Sequence, residues 1–263
     1  MARFFTLCSS SSGNSTYIGT HSHGVLIDAG TNNKQVLLSL ASAGIAPESV
    51  KAVFVTHEHT DHTGALKVFA SNTGTPVYAT GGTLAGLLDG GVLNGKFPYN
   101  KLLGESVVIE DDIVVTSFKT SHDSRESCGY KITLPDRRIA VATDTGYVSD
   151  EMLDALSDCD MVLIESNYDE DMLAYGPYPP YLKARIRSKT GHLSNHDCAE
   201  AVCNLFERGV RRFVLGHLSR ENNTPERAFS CTNAALKRMG AVEGRDYILK
   251  VAPVGKMDKI ITL

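Results

Sequence analysis

Val53-Phe54-Val55-Thr56-His57-Glu58-His59-Thr60-Asp61-His62 decides how the rest of this chain is read. An apolar run with the composition of a buried strand opens into a loop carrying three histidines and an aspartate within six residues. Neutral imidazole and carboxylate form the donor set that suits zinc, manganese or iron. In extended backbone, residues two apart project to the same side, so His57 and His59 can share one ion. Asp61 and His62 then turn towards a second ion nearby.

Outward from this loop the chain alternates short apolar runs with helical patterns. Phe4–Leu7, Tyr17–Ile18 and Val25–Ile27 read as strands of an early meander, with His21–Gly24 as a turn. A helix through Val36–Ala41 ends near Gly44, Val50–Val55 is a strand, a helix covers Ala65–Ala70 and a strand Val77–Ala79. The second half repeats the order: strands at Ile113–Phe118, Tyr130–Leu134, Ile139–Ala142, Met161–Ile164 and Phe213–Leu215. Its helices are expected at Asp150–Ser157 and Asp197–Glu207, with a third opening at Thr224-Pro225-Glu226. Strands and helices distributed this way in both halves predict two sheets covered by helices, a four-layer α/β sandwich.

The chain has 263 residues, 42% hydrophobic and 21% charged, the balance of a globular protein, which excludes collagen-like, coiled-coil and disordered classes. No linker or repeat divides it, so one domain over residues 1–263 is expected. Apolar stretches such as Met161–Ile164 fall far short of the ~20 residues a bilayer span needs. Met1–Gly13 lacks the extended apolar segment of a secretory signal, so the expected location is the cytoplasm, with no membrane contact and no obligate protein partner. The six cysteines are scattered and read as reduced thiols. A net charge of −4 gives no global attraction for polyanions. Nucleic-acid contact would have to come from a local cluster, and Lys183, Arg185, Arg187 and Lys189 form one.

His-x-His-x-Asp-His after an apolar strand resembles the signature of the metallo-β-lactamase-fold hydrolases, whose αββα sandwich agrees with the layers above. The remaining motifs of that family match Asp28 in Leu26-Ile27-Asp28-Ala29-Gly30, His122 in Thr120-Ser121-His122-Asp123, Asp144 in Ala142-Thr143-Asp144-Thr145-Gly146, and His217 in Val214-Leu215-Gly216-His217-Leu218-Ser219. The resemblance implies two divalent metal ions (zinc, manganese or iron). One would be held by His57, His59 and His122, the other by Asp61, His62 and His217, with Asp144 shared and a bridging hydroxide as nucleophile. It also implies that Asp28 supports the metal loop by hydrogen bonding. Ser219, just after a ligand, is expected to support the site in the same way.

Departures within the family narrow the chemistry. His59 in place of Glu argues against oxygen-reducing di-iron relatives, and Asp144 in place of a Cys ligand argues against a secreted β-lactam hydrolase. No helical domain follows the last motif, as glutathione-thioester hydrolases carry. The short interval between Asp144 and His217 leaves no room for a β-CASP cap. Gly191-His192-Leu193-Ser194 before a helix and strand resembles transfer-RNA 3′-processing nucleases of the fold, which implies that His192 is proton donor to the leaving oxygen. An imidazole, with its ordinary pKa of ~6.5, suits that task. Ser-Ser-Gly13-Asn14-Ser15, Glu165-Ser166-Asn167-Tyr168, Tyr175-Gly176-Pro177-Tyr178-Pro179 and Leu182-Lys183-x-Arg185-Ile186 are together similar to the YycJ/WalJ-type group, which is regarded as DNA exonuclease-like.

The expected function is thus a dinuclear metal-dependent phosphodiesterase acting on nucleic acid, DNA before RNA, with His192 and Asp61 as catalytic residues. The alternative is hydrolysis of a small phosphodiester, thioester or lactone. For substrate binding, Ser9–Asn14 offers Ser12 and Asn14 in a glycine-containing loop that could cradle phosphate. Lys183 and Arg187, which share a helix face, could track a phosphate backbone. Tyr175, Tyr178 and Tyr181 are candidates for base stacking or for packing. His21, His23 and His196 read as surface residues.

Overall fold

The computed structural model describes residues 1–102 and 106–263. The first half runs β1 (Arg3–Ser10), β2 (Gly13–Gly19), β3 (Gly24–Ile27), α1 (Asn33–Ser42), β4 (Val50–Phe54), the single turn α2 (Thr60–Thr63), α3 (Leu66–Thr73), β5 (Val77–Ala79), α4 (Gly81–Asp89) and β6 (Tyr99–Lys101). The second runs β7 (Val107–Ile109), β8 (Ile113–Lys119), β9 (Cys128–Thr133), β10 (Arg138–Ala142), α5 (Asp150–Leu156), β11 (Met161–Glu165), α6 (Glu170–Tyr175), α7 (Pro180–Ile186), α8 (Asn195–Glu207), β12 (Arg212–Gly216), α9 (Pro225–Arg238), β13 (Ile248–Val251) and β14 (Ile261–Thr262). Two seven-stranded mixed sheets result, ordered β14-β1-β2-β3-β4-β5-β6 and β13-β12-β11-β10-β9-β8-β7.

Alternation along the strands builds the layers. Phe4, Ile27, Phe54, Val141, Leu163 and Val214 form the apolar seam between the sheets. Their neighbours Phe5, Leu26 and Val53 pack outward with α1 and α3 residues such as Leu40 and Phe69. On the other side Ala140, Val162 and Phe213 pack with α5, α8 and α9 through Leu156, Leu205 and Leu236. A strand buried on both faces reads as a continuous apolar run, which is why the central strands were legible in sequence. The result is the expected four-layer αββα sandwich, with no helix, among the described residues, long and apolar enough to cross a membrane. All six cysteines are free thiols.

Two local expectations change, and helix α4 had no counterpart in the sequence reading. Ser9–Asn14 is a tight hairpin and not an open loop: Ser9 and Ser10 finish β1, Gly13 and Asn14 begin β2, and Ser10 pairs with Gly13 across a two-residue turn. Helix α8 starts at Asn195, earlier than Asp197, because Ser194 caps it by accepting from Asp197 N. Helix α4 opens on two glycines, poor helix formers. Capping by Thr80 and a 2.6 Å bond from Gly82 N to Glu126 Oε2 offset that.

Candidate metal centre

Each expected ligand leaves the C-terminal end of a strand or the loop beyond it, and these ends lie along one edge of the sandwich. Open α/β sheets place their sites at that edge. Asp28, just past β3, accepts from Thr56 N (2.8 Å) and Thr56 Oγ1 (2.9 Å) and lies 2.7 Å from His62 Nδ1. It therefore ties the loop after β4 to the end of β3 and leaves His62 Nε2 facing inward, as a supporting carboxylate does. Gly30 lets the two loops close: a Cβ there would sit 1.6 Å from the Asp61 carbonyl oxygen. Asp28, Asp144 and His217 adopt left-handed backbone, with φ of 61°, 58° and 54°. Such conformations are strained for these residues and concentrate at functional sites.

The seven expected ligands meet at one place. His57 Nε2 lies 3.0 Å from His59 Nδ1, and the His57 and His59 rings are 4.9 and 5.1 Å from that of His122. Beside this triad, Asp144 Oδ2 lies 3.2 Å from His62 Nε2 and 3.0 Å from His217 Nδ1, with Asp61 Oδ2 3.4 Å from His62 Nε2. Donor atoms of His57–His59–His122, of Asp61–His62–His217 and of His57–His62–Asp144 are each mutually close enough to hold one ion. Asp144 Oδ2 and His217 Nδ1 are buried and, despite their approach, are not aligned as a hydrogen bond, so neither has a partner. Two orphaned polar atoms aimed at a common point fit a shared cation, because burying them unpaired is costly. The donor set therefore fits divalent metal binding.

Electrostatics divide the cluster. Burial holds His57 well below the ordinary imidazole value and lowers His122, so both offer lone pairs at neutral pH. His122 Nδ1 is fixed 3.0 Å from the Gly191 carbonyl, which leaves Nε2 for the centre. Burial would depress His62 and His217 too, but Asp144 overcomes it, raising His62 well above its ordinary value and His217 to about 9. Burial opposes ionisation of Asp144 as well, yet His217 and His62 hold its carboxyl well below the carboxylate range.

His192 stands at the rim, its ring 5.0 Å from that of His122 and 5.4 Å from that of His217. Its Nδ1 lies 2.7 Å from Oε1 of the fully buried Glu165. The other oxygen of Glu165 accepts from Thr145 N (3.0 Å) and Leu193 N (3.3 Å), so one carboxylate orients His192 and braces the backbone after Asp144. Glu165 was quoted in sequence but given no role there. Its position, an acid at the end of an apolar strand like Asp28, was the signal available. Ser9 Oγ, accepting from His217 N (2.8 Å), and Asn167 Nδ2, donating to His217 O (2.9 Å), were also missed.

The other expected residues scatter. Asn14 is buried, with Nδ2 on Ser10 O and 3.1 Å from His62 Nε2, so it lies beside the expected ligands. Ser12 is exposed at the hairpin tip and meets Ser10 Oγ. Ser219 Oγ accepts from Asn222 N and turns the loop beyond His217 without touching a ligand side chain. Lys183 Nζ donates to Ala174 O and Arg187 reaches Glu170 O, so both are tethered to α6 and not to the centre. Of the tyrosines, Tyr178 packs against Tyr168 and Leu173, while Tyr175 and Tyr181 are exposed.

Residues 23–218 match the β-lactamase superfamily domain. The chain is 37% identical to the exodeoxyribonuclease WalJ of Streptococcus pneumoniae, covering 86% of this chain and 85% of that protein. It is 36% identical to the exodeoxyribonuclease YycJ of Bacillus anthracis, covering 93% and 92%. Among solved structures, the metallo-β-lactamase-fold protein YhfI from Bacillus subtilis superposes with a TM-score of 0.74 at 14% identity, covering 98% of this chain and all of that one.

Proposed function

The chain belongs to the β-lactamase superfamily, and from that premise we propose that it is a metal-dependent nuclease degrading DNA from an end. The choice of exonuclease and of DNA rests on WalJ and YycJ, with which it shares most of its length. The observation that carries a phosphodiester substrate is the His192–Glu165 pair beside Asp144.

In this reading His57, His59 and His122 would hold one divalent cation and Asp61, His62 and His217 a second, with Asp144 between them. Zinc, manganese and iron all suit the donors. Such a pair, when bound, supplies a water of lowered pKa and neutralises charge on a transferring phosphoryl group. The protein's own part is to orient and to move protons. Glu165 keeps His192 Nδ1 occupied, which leaves Nε2 to hand a proton to the leaving alkoxide. Asp61, whose Oδ2 accepts from Asn14 Nδ2 at 3.4 Å, would be the second catalytic residue, orienting the attacking water. The catalytic domain spans residues 1–263, and we place its activity in the cytoplasm.

The test is hydrolysis of end-labelled single- and double-stranded DNA, RNA, bis-p-nitrophenyl phosphate, a β-lactam and a thioester, with bound metal quantified in wild type and His57→Ala. We expect DNA to shorten stepwise from an end in wild type only. Thioester or lactam turnover without DNA cleavage would overturn the reading.

A further inference from the structure

Helix α7 presents two faces. Lys183 and Arg187 form one and are spent on the carbonyls of α6. Tyr181 and Arg185, also four residues apart and hence neighbours on the helix surface, form the other. Arg185 Nε donates to Asp123 Oδ2, and Asp123 Oδ1 lies 3.4 Å from His122 Nε2. The guanidinium therefore stands one carboxylate away from a candidate metal ligand. Among the described residues its terminal nitrogens have no hydrogen-bond or ion-pair partner, and the side chain is 52% exposed. A guanidinium bound only through Nε keeps four N–H donors in a planar fork, the geometry that matches phosphate oxygens. Asp123's hydrogen bond, with a smaller attraction from Asp61, raises its pKa further, so both carboxylates are within electrostatic reach. Tyr181 is 77% exposed and makes no hydrogen bond among the described residues.

The platform is anchored to the centre. Ile186 O accepts from His192 N (2.9 Å), Thr190 O accepts from Asp123 N (3.0 Å) and Gly191 O meets His122 Nδ1. The end of α7 is thus tied to the segment that carries His192 and, through Thr190 and Gly191, to the loop that carries His122.

We propose that the Tyr181–Arg185 face of α7 is the binding strip for a single nucleic-acid strand entering the centre, with Arg185 gripping a backbone phosphate and Tyr181 stacking a base. The proposal rests on the nuclease reading above and names how its substrate is held. A phosphate contact beside an aromatic platform is how proteins hold single strands without reading sequence. Asp123 pre-orients the guanidinium and partly neutralises it until a phosphate arrives.

The experiment compares kcat/KM on a single-stranded oligonucleotide over a range of salt, with metal content, for wild type, Arg185→Gln, Arg185→Lys, Tyr181→Ala, the pair Lys183→Gln/Arg187→Gln, and Lys237→Gln on exposed α9 as control. We expect Arg185→Gln to lose at least about tenfold and to flatten the salt dependence by about one counterion. Arg185→Lys should recover the salt dependence, Tyr181→Ala should lose about tenfold with the slope intact, and metal content should hold throughout. Unchanged kinetics and slope in Arg185→Gln, loss of metal with that variant, or loss that instead follows Lys183→Gln/Arg187→Gln would overturn the strip while leaving the nuclease reading standing. No cleavage of any oligonucleotide by metal-loaded wild type would overturn both.

Discussion

At the scale of single residues, the site depends on buried groups that act through a neighbour. Among the described residues the Asp28 carboxylate bonds to no expected ligand other than His62, yet it orients that ring and ties down Thr56. Asp28→Asn should keep the fold and weaken metal binding by about 10–100-fold, measured by competition with a chelator of known affinity. Unchanged affinity would show that His62 is oriented by packing alone. Glu165 acts on His192 in the same way. Glu165→Gln and His192→Ala should retain metal and lower kcat by about 10²–10⁴-fold, most severely on substrates with poor leaving groups. If a good leaving group gives no relief, His192 is not the proton donor.

At the scale of elements, the short connection between α7 and α8 carries His192, the proposed proton donor, and a helix cap helps set its position. Ser194 Oγ accepts from Asp197 N at 3.1 Å and donates to Asp197 Oδ2 at 2.8 Å. The cap residue lies two positions beyond His192 and starts α8 at Asn195, while Leu193 is drawn to Glu165 through its backbone N–H. Ser194→Ala should cost about 1 kcal/mol in chemical denaturation. It should also lower kcat more than it lowers metal content. A stability loss with kcat intact would mean that Glu165 alone positions the imidazole. The Ser194-x-x-Asp197 pattern of the cap stands in the sequence, although the helix was expected only from Asp197, and its consequence for His192 needed the bond across to β11.

At the scale of the whole molecule, four layers bury most thiols. Burial pushes Cys8, Cys128 and Cys159 up to about 12 from an ordinary 9.0. Between those values the unfolded chain loses thiol protons that the folded chain keeps, so stability must fall as pH rises. Each fully buried thiol contributes a slope of up to about 1.4 kcal/mol per pH unit. Urea midpoints at pH 8, 9.5 and 10.5 should fall, and Cys159→Ala, remote from the centre, should flatten the decline. An equal decline in that variant would assign the alkaline limb to other groups.

The sequence by itself determined the layered class and the donors bunched at His57, His59, Asp61 and His62, because both are written in local pattern; His122, Asp144 and His217 were expected only through the family resemblance. Strands buried on two faces must be apolar throughout, and a metal loop after a strand must bunch its donors within a few residues. Only the tertiary structure decided which cations and acids stand beside the candidate centre. Arg185 and Lys183 lie two positions apart on one short helix, and nothing in their spacing says which meets Asp123 and which meets Ala174. The pairing of Glu165 with His192 across 27 residues, and of Ser9 with His217 across 208, arises from sheet order. The strain at Asp28, Asp144 and His217 appears only when strands from both halves of the chain end at the same edge. Contacts of that range depend on how the layers close, and no local periodicity records them.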